Sequence, residues 1–186
     1  MCQVMHRPDA AEYEQHARDA VTGVDPSLDL DAMLVTFNLI RAANRVQQDL
    51  ETSVHRPAGL TWAAYRVLFA ILAVGPTAPA QLARLSSVSA ASISSVLNTL
   101  ERNGLVARRR SDSDARSIVV ELTDLGRETV RELTERNNAR EVEWAKALTA
   151  RERATLGTLL RKLLAHHPDP AEAAGPRLLP PRALAP

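Results

Sequence analysis

A run of small and polar residues, Ser89, Ala90, Ala91, Ser92, Ser94, Ser95 and Asn98, is followed shortly by Arg108, Arg109 and Arg110. Serine hydroxyls both donate and accept, so they can bond a phosphate oxygen or a base edge. An asparagine amide sets a donor beside an acceptor, the pattern that matches adenine in the major groove. Arginines neutralise phosphates, which positions a protein on a duplex without reading its sequence. Taken alone, the serines would equally well make a helix soluble. The elements around them decide between these readings.

Ser89 is placed as an N-cap, and Ile93, Val96, Leu97 and Leu100 follow at helical spacing, ending at Gly104. The small polar residues therefore fall on the face opposite the apolar stripe. A short helix opening near Pro79, with Leu82 and Leu85 inward, precedes it and is broken at Ser86-Ser87-Val88. Leu105 to Arg108 and Ile118 to Leu122 read as two short strands around the polar tip RRSDSDARS. Two short helices, a tight turn and a hairpin with a basic tip make a winged helix-turn-helix. In that fold the second helix enters the major groove.

The flanking segments are helical. Pro8 and Asp9 open a helix expected to run through Val21 and to be stopped by Gly23 and Pro26. From Leu30, Met33, Leu34 and Phe37 to Leu50 and Val54, apolar residues recur every three or four positions, ending before Pro57. Thr61 caps the next helix, with Tyr65, Leu68, Phe69 and Leu72 expected inward up to Gly75-Pro76. Thr123 caps a long helix to about Leu148, and Thr149-x-x-Glu152 is a capping box for the last one. That last helix carries the stripe Leu156, Leu159, Leu160, Leu163 and Leu164. The fold class is thus mainly α with a small β-hairpin wing. Its parts are an N-terminal extension (1–27), a long helix (28–58), the winged domain (60–122), two C-terminal helices (123–167) and a Pro-rich tail expected to be disordered (168–186).

Composition narrows the function classes. Apolar residues are 45% of the 186, charged residues 24% and aromatics 3%, so the core is mostly aliphatic. Between Leu60 and Arg110 six arginines face one acid, Glu101, a net of +5 in a chain of net +1. A local basic patch of this kind points to nucleic acid. No apolar run approaches a membrane span, and no signal peptide is visible, so a cytoplasmic protein without a membrane partner is expected. Cys2 is the only cysteine, and the five histidines show no ligand spacing with carboxylates, so neither a metal nor another cofactor is expected. No nucleophile elbow, phosphate loop or dinucleotide fingerprint is present, which argues against an enzyme.

The stretch from Leu60 to Val130 resembles the multiple-antibiotic-resistance regulator (MarR) family. The resemblance is carried by LTWAAYRVLFAI, PAQLARLSSVSAASISSVLNTLERNGLVARR and SDSDARSIVVELTDLG. Its most specific series is Leu100-Glu101 through Gly104-Leu105-Val106, then Asp114-x-Arg116, then Leu122-Thr123-x-x-Gly126. With the flanking helices it extends over about 30–166. It implies a transcriptional repressor that binds double-stranded DNA as a homodimer. The resemblance makes 28–58 and 123–167 dimerisation helices, which would interdigitate between two chains, on a pseudo-palindromic site with half-sites about one helical turn apart.

The resemblance also implies that Arg116, braced by Asp114, reads the minor groove, with Arg108, Arg109 and Arg110 on phosphates. Many relatives carry a basic residue where this chain has Ser95 or Ala90, so base preference does not carry over. Release by a small aromatic or phenolic ligand is implied too. Matching positions are His55, Trp62, Tyr65 and Arg66, with Phe37 and Arg41 earlier in the chain. Urate-responsive members carry a tryptophan where Val21 stands, which argues against urate, and Cys2 lies outside the helices used for thiol sensing. The competing reading is a winged module that binds protein and has no affinity for DNA.

Overall fold

In a computed structural model describing residues 9–111 and 117–166, every α-helix except the one opening at Pro79 begins on a side chain suited to its orphan amides. Asp9 accepts from the N–H groups of Ala11 and Glu12, while Glu12 returns a bond to the Asp9 N–H, opening α1 (Ala10–Val24). This helix passes through Gly23 and stops only at the extended Asp25, later than the expected end at Val21. A single glycine lowers helix propensity by about 1 kcal/mol and does not by itself terminate a helix.

Asp29 caps α2 (Leu30–Leu50). Its apolar periodicity continues beyond Leu50, but the backbone widens into a π-turn over Glu51–His55 and then tightens into a 3₁₀ turn over Arg56–Ala58. Gly59, at φ 73°, ends the run. The wide turn lets Val54 and His55 both point inward, where they are buried.

The winged core is built around α3 (Trp62–Val74), which Thr61 caps through the Ala64 N–H. Its buried positions are Ala64, Tyr65, Val67, Leu68, Ala70 and Ile71. Phe69 and Leu72, expected inward, are outward instead, at 44% and 45% exposure. In so apolar a helix the spacing alone left several faces eligible. The same correction applies to α4 (Pro79–Ser86): Leu82 is fully buried but Leu85 is exposed. Ser87 makes the helix-turn-helix corner in the left-handed region, at φ 48° and ψ 37°. Ser89 then caps α5 (Ala90–Arg102) through the Ser92 N–H, and Ile93, Leu97 and Leu100 are buried with Val96 packed against them.

β1 (Val106–Arg110) and β2 (Ile118–Leu122) pair antiparallel, with Val106 opposite Leu122 and Arg110 opposite Ile118. Pairing includes Arg109 and Arg110, so the hairpin tip is shorter than RRSDSDARS. Thr77 adds a one-residue third strand by exchanging two backbone bonds with Val120. At the far end of the hairpin Thr123 joins three segments. Its hydroxyl donates to the Gly104 carbonyl at 2.6 Å and accepts from the Gly126 N–H at 2.9 Å, and its own N–H donates to the Leu105 carbonyl. This places the first turn of α6 (Asp124–Ala145) on the Leu105 backbone, where only a glycine at 126 fits.

The chain divides into two compact units at Arg140/Glu141, inside α6. In the first, one hydrophobic core runs from Leu50 and Val54 through α3, α4, α5 and the hairpin to Val130 and Leu133. In the second, α6 ends at Ala145, three residues short of the expected Leu148, and Thr149 and Glu152 form the capping box of α7 (Ala150–Ala165). Leu156, Leu159, Leu163 and Leu164 on α7 are all exposed. Among the described residues no single helix is long and apolar enough to cross a membrane. The extreme N-terminus with Cys2, the hairpin tip with Asp114 and Arg116, and the tail lie outside the described residues.

Candidate nucleic-acid interface

The outward face of α5 presents Ala90, Ala91, Ser92, Ser94, Ser95 and Asn98, all exposed, just as the stripe opposite them is buried. These side chains leave the helix slender on that side. Ser89 and Ser92 are tied into the cap, the Ser89 hydroxyl donating to that of Ser92 at 2.8 Å. Ser94 and Ser95 stand free of that cap, one turn before Asn98.

Strand β1 runs beside this helix, and its arginines have distinct settings. Arg108 donates from Nη1 to Glu101 Oε2 and from Nη2 to Asn98 Oδ1, both at 2.7 Å. Arg109 pairs across the hairpin with Glu121 at 2.7 Å. Arg110, at the end of the strand, is exposed. The three arginines read together from the sequence as phosphate contacts are thus different: two already hold carboxylates of the chain itself. Glu101, the single acid of the basic segment and part of the family series, was not placed in the site by its sequence position. Only the strand register, which sets Arg108 beside the last turns of α5, brings it into the site.

The residues expected to bind a small effector separate into two groups. His55, Trp62, Tyr65 and Arg66 come together where α2 turns into α3. The His55 ring stacks on Tyr65 at 4.4 Å and lies 5.3 Å from Trp62, and the Arg66 guanidinium sits 5.8 Å over Trp62. Tyr65 reaches the Thr134 hydroxyl of α6 at 3.4 Å. His55 is fully buried, and neither ring nitrogen has a partner at good hydrogen-bond geometry. Burial pushes its pKa below the ordinary 6.5, offset in part by the Asn137 side chain and the Glu51 carboxylate. Burial also lowers the Arg66 guanidinium from its ordinary value.

Phe37 and Arg41 belong elsewhere. The Arg41 guanidinium lies 4.8 Å from the Tyr13 ring and 5.1 Å from the Phe37 ring, and the two rings are 5.7 Å apart. Beside them Asn38 donates to Glu14 at 2.6 Å. These contacts dock α1 on α2. At 1.5 Å per residue, Phe37 is about 20 Å along α2 from Leu50, so one chain does not bring both groups to one pocket. Tyr13, missed in the sequence, completes this second cluster.

Comparison with known proteins sets this geometry in a family. A MarR family model matches residues 58–117, the segment from the 3₁₀ turn through the hairpin tip. Over 137 residues the chain is 32% identical to YwaE of Bacillus subtilis (strain 168), an uncharacterized HTH-type transcriptional regulator, covering 74% of this chain and 80% of that one. The chain belongs to the MarR family. Among solved structures, mutant MarR from E. coli complexed with operator DNA is 28% identical at a TM-score of 0.63, covering 74% of this chain and 99% of that one. Bordetella bronchiseptica BpsR, whose DNA binding is regulated by 6-hydroxynicotinic acid, is 25% identical at a TM-score of 0.63, covering 70% and 98%. This MarR-family chain is therefore a DNA-binding transcriptional regulator of the winged-helix class, and its hairpin is the wing.

Proposed function

We propose that the protein is a homodimeric repressor that reads a pseudo-palindromic operator and releases it on binding a small aromatic acid. The observation that carries the DNA reading is the slender, exposed face of α5 beside the arginines of β1. A recognition helix must bury one stripe and leave the other free to enter the groove, and α5 does both. The MarR structure bound to operator DNA supports the same docking for this chain. Arg116, braced by Asp114, is assigned to the minor groove on the family resemblance, and Arg110 to a phosphate.

Dimerisation is supported by apolar side chains with nothing over them. On α2, Val35, Leu39 and Ile40 are exposed, and on α7 so are Leu156, Leu159, Leu163 and Leu164. Most are about half exposed, so covering each would gain roughly half of the about 1.5–3 kcal/mol of full burial, which summed over the set is ample reason for a second copy to cover them. The effector reading rests on the Trp62, Tyr65 and Arg66 group, which offers an aromatic wall and a cation four residues along one helix. A planar carboxylate matches both. That BpsR responds to 6-hydroxynicotinic acid supports the choice of ligand class.

Selection from random duplex DNA tests the reading. It should return an inverted repeat whose half-site centres lie about 10 base pairs apart or a multiple of that. Enrichment of a single, non-repeated element, or of nothing, would refute the dimeric operator reading.

A further inference from the structure

The strand register lays the exposed Arg108 side chain against α5. One Nη donates to Asn98 Oδ1 and the other to Glu101 Oε2, each at 2.7 Å. A guanidinium has donors only, so the Asn98 atom that faces it is necessarily the carbonyl oxygen. The amide nitrogen of Asn98 is thereby turned the other way. Glu101, one turn further along α5, takes the other Nη of the same guanidinium, so two residues of the helix hold it. Asn98 is itself exposed, on the same face as Ser94 and Ser95.

We infer that Arg108 determines base specificity by fixing which edge of Asn98 faces the DNA, converting an adenine reader into a guanine reader. The inference rests on the proposal above that α5 enters the major groove. A free asparagine pairs bidentately with adenine, accepting from N6 and donating to N7. With a guanidinium on Oδ1, an adenine amino group reaching that oxygen would bring its own donor hydrogens beside a cation. The Asn98 amide N–H and the remaining guanidinium N–H groups instead form a surface of donors. Guanine, with acceptors at both N7 and O6, is the base edge that complements it. Arg108 is thus a positioning residue for Asn98 as well as a charge near the backbone.

The test uses the full-length protein and operators selected from random duplex DNA for the parent, Asn98→Ala, Arg108→Lys and Arg108→Met. Asn98→Ala marks the symmetric pair of positions that depends on Asn98, by flattening the preference there. At that position the parent should prefer guanine. Both Arg108 variants should shift the preference toward adenine by about tenfold, the scale of one bidentate base contact. Lysine keeps the charge but cannot span Asn98 and Glu101 with a planar fork, so Arg108→Lys should change the base with the salt dependence unaltered. Light scattering and thermal unfolding confirm that each variant is folded, and Arg108→Lys carries the test if Arg108→Met does not fold. If the Arg108 variants weaken all sequences equally with the same base preference, or if the parent already prefers adenine there, the bridge has no part in reading and the inference fails alone. If Asn98→Ala changes no position, the groove placement of Asn98 fails with it.

Discussion

Arg140 grips Asp49 through two bonds, Nε to Oδ2 at 2.6 Å and Nη2 to Oδ1 at 2.9 Å, across ninety-one positions of sequence. This two-pronged pair ties α6 to the last turn of α2, just before the π-turn that buries His55. Both partners retain some exposure, 44% for Arg140 and 20% for Asp49, so water screens the attraction. Arg140→Ala should lower unfolding stability in urea by about 0.5–1.5 kcal/mol, and Arg140→Lys should recover less than half of that, because lysine cannot make both bonds. Equal stability of all three proteins would show the pair to be energetically idle.

Gly126 has a steric reason to be glycine. A Cβ there would lie 1.9 Å from the Leu105 carbonyl oxygen and 2.8 Å from its carbon, both backbone atoms that cannot swing away. Gly126→Ala should therefore cost about 1–3 kcal/mol or more, despite alanine's better helix propensity. Chemical denaturation measures it. A stability gain would mean that α6 and the Leu105 turn do not approach this closely.

The buried His55 makes stability depend on pH in a definite sense. Its folded pKa lies below the ordinary 6.5, so the unfolded chain takes up the proton first as pH falls. Its contribution is complete above about pH 6.5 and is lost as pH drops from there through the lowered folded pKa. In His55→Phe, unfolding midpoints between pH 7.5 and 5 should fall less steeply than in the parent. Parallel pH curves for the two proteins would contradict this account of the ring's burial.

Much of this was legible before any coordinates. Caps at Thr61, Ser89, Thr149 and Asp9 sit where oxygen-bearing side chains precede an apolar period, since capping is a local interaction. The buried stripe of α5 was legible for the same reason. Phe69 and Leu72 lie on the almost wholly apolar α3, which gives no contrast from which to choose an inner face, whereas α4 is only two turns long and its Leu82–Leu85 spacing does not say which leucine faces the core. The π-turn at Glu51–His55 leaves no mark in a helical apolar pattern. The Asn98–Arg108–Glu101 bridge depends on the register between a strand and a helix, which spacing within either element does not encode. The effector residues were grouped by family position, and the length of α2 separates Phe37 and Arg41 from the rest.

The proposed dimer rests on the exposed apolar side chains of α2 and α7. Light scattering at micromolar concentration should give about twice the 20.3 kDa chain mass. Ile40→Glu with Leu159→Glu should shift the mass toward one chain and weaken operator binding together. A monodisperse, folded parent monomer would overturn the dimer.

If Trp62 and Arg66 bind an aromatic acid, the ligand must quench Trp62 emission and weaken DNA binding over the same concentration range, because linkage joins the two. A Trp144→Phe background isolates the Trp62 signal. Arg66→Ala should abolish both responses with DNA affinity retained. A quench without loss of DNA affinity would separate the pocket from regulation.

The central claim, that this chain reads DNA sequence through α5 and its wing, is tested most directly by one comparison of affinities. The parent is titrated with its selected operator and with a scrambled duplex of equal length, at about 50 and 200 mM salt. The account predicts operator binding about a thousandfold or more tighter than scrambled binding at the higher salt, with both affinities falling as salt rises. Equal affinity for the two duplexes at both salt concentrations would contradict it.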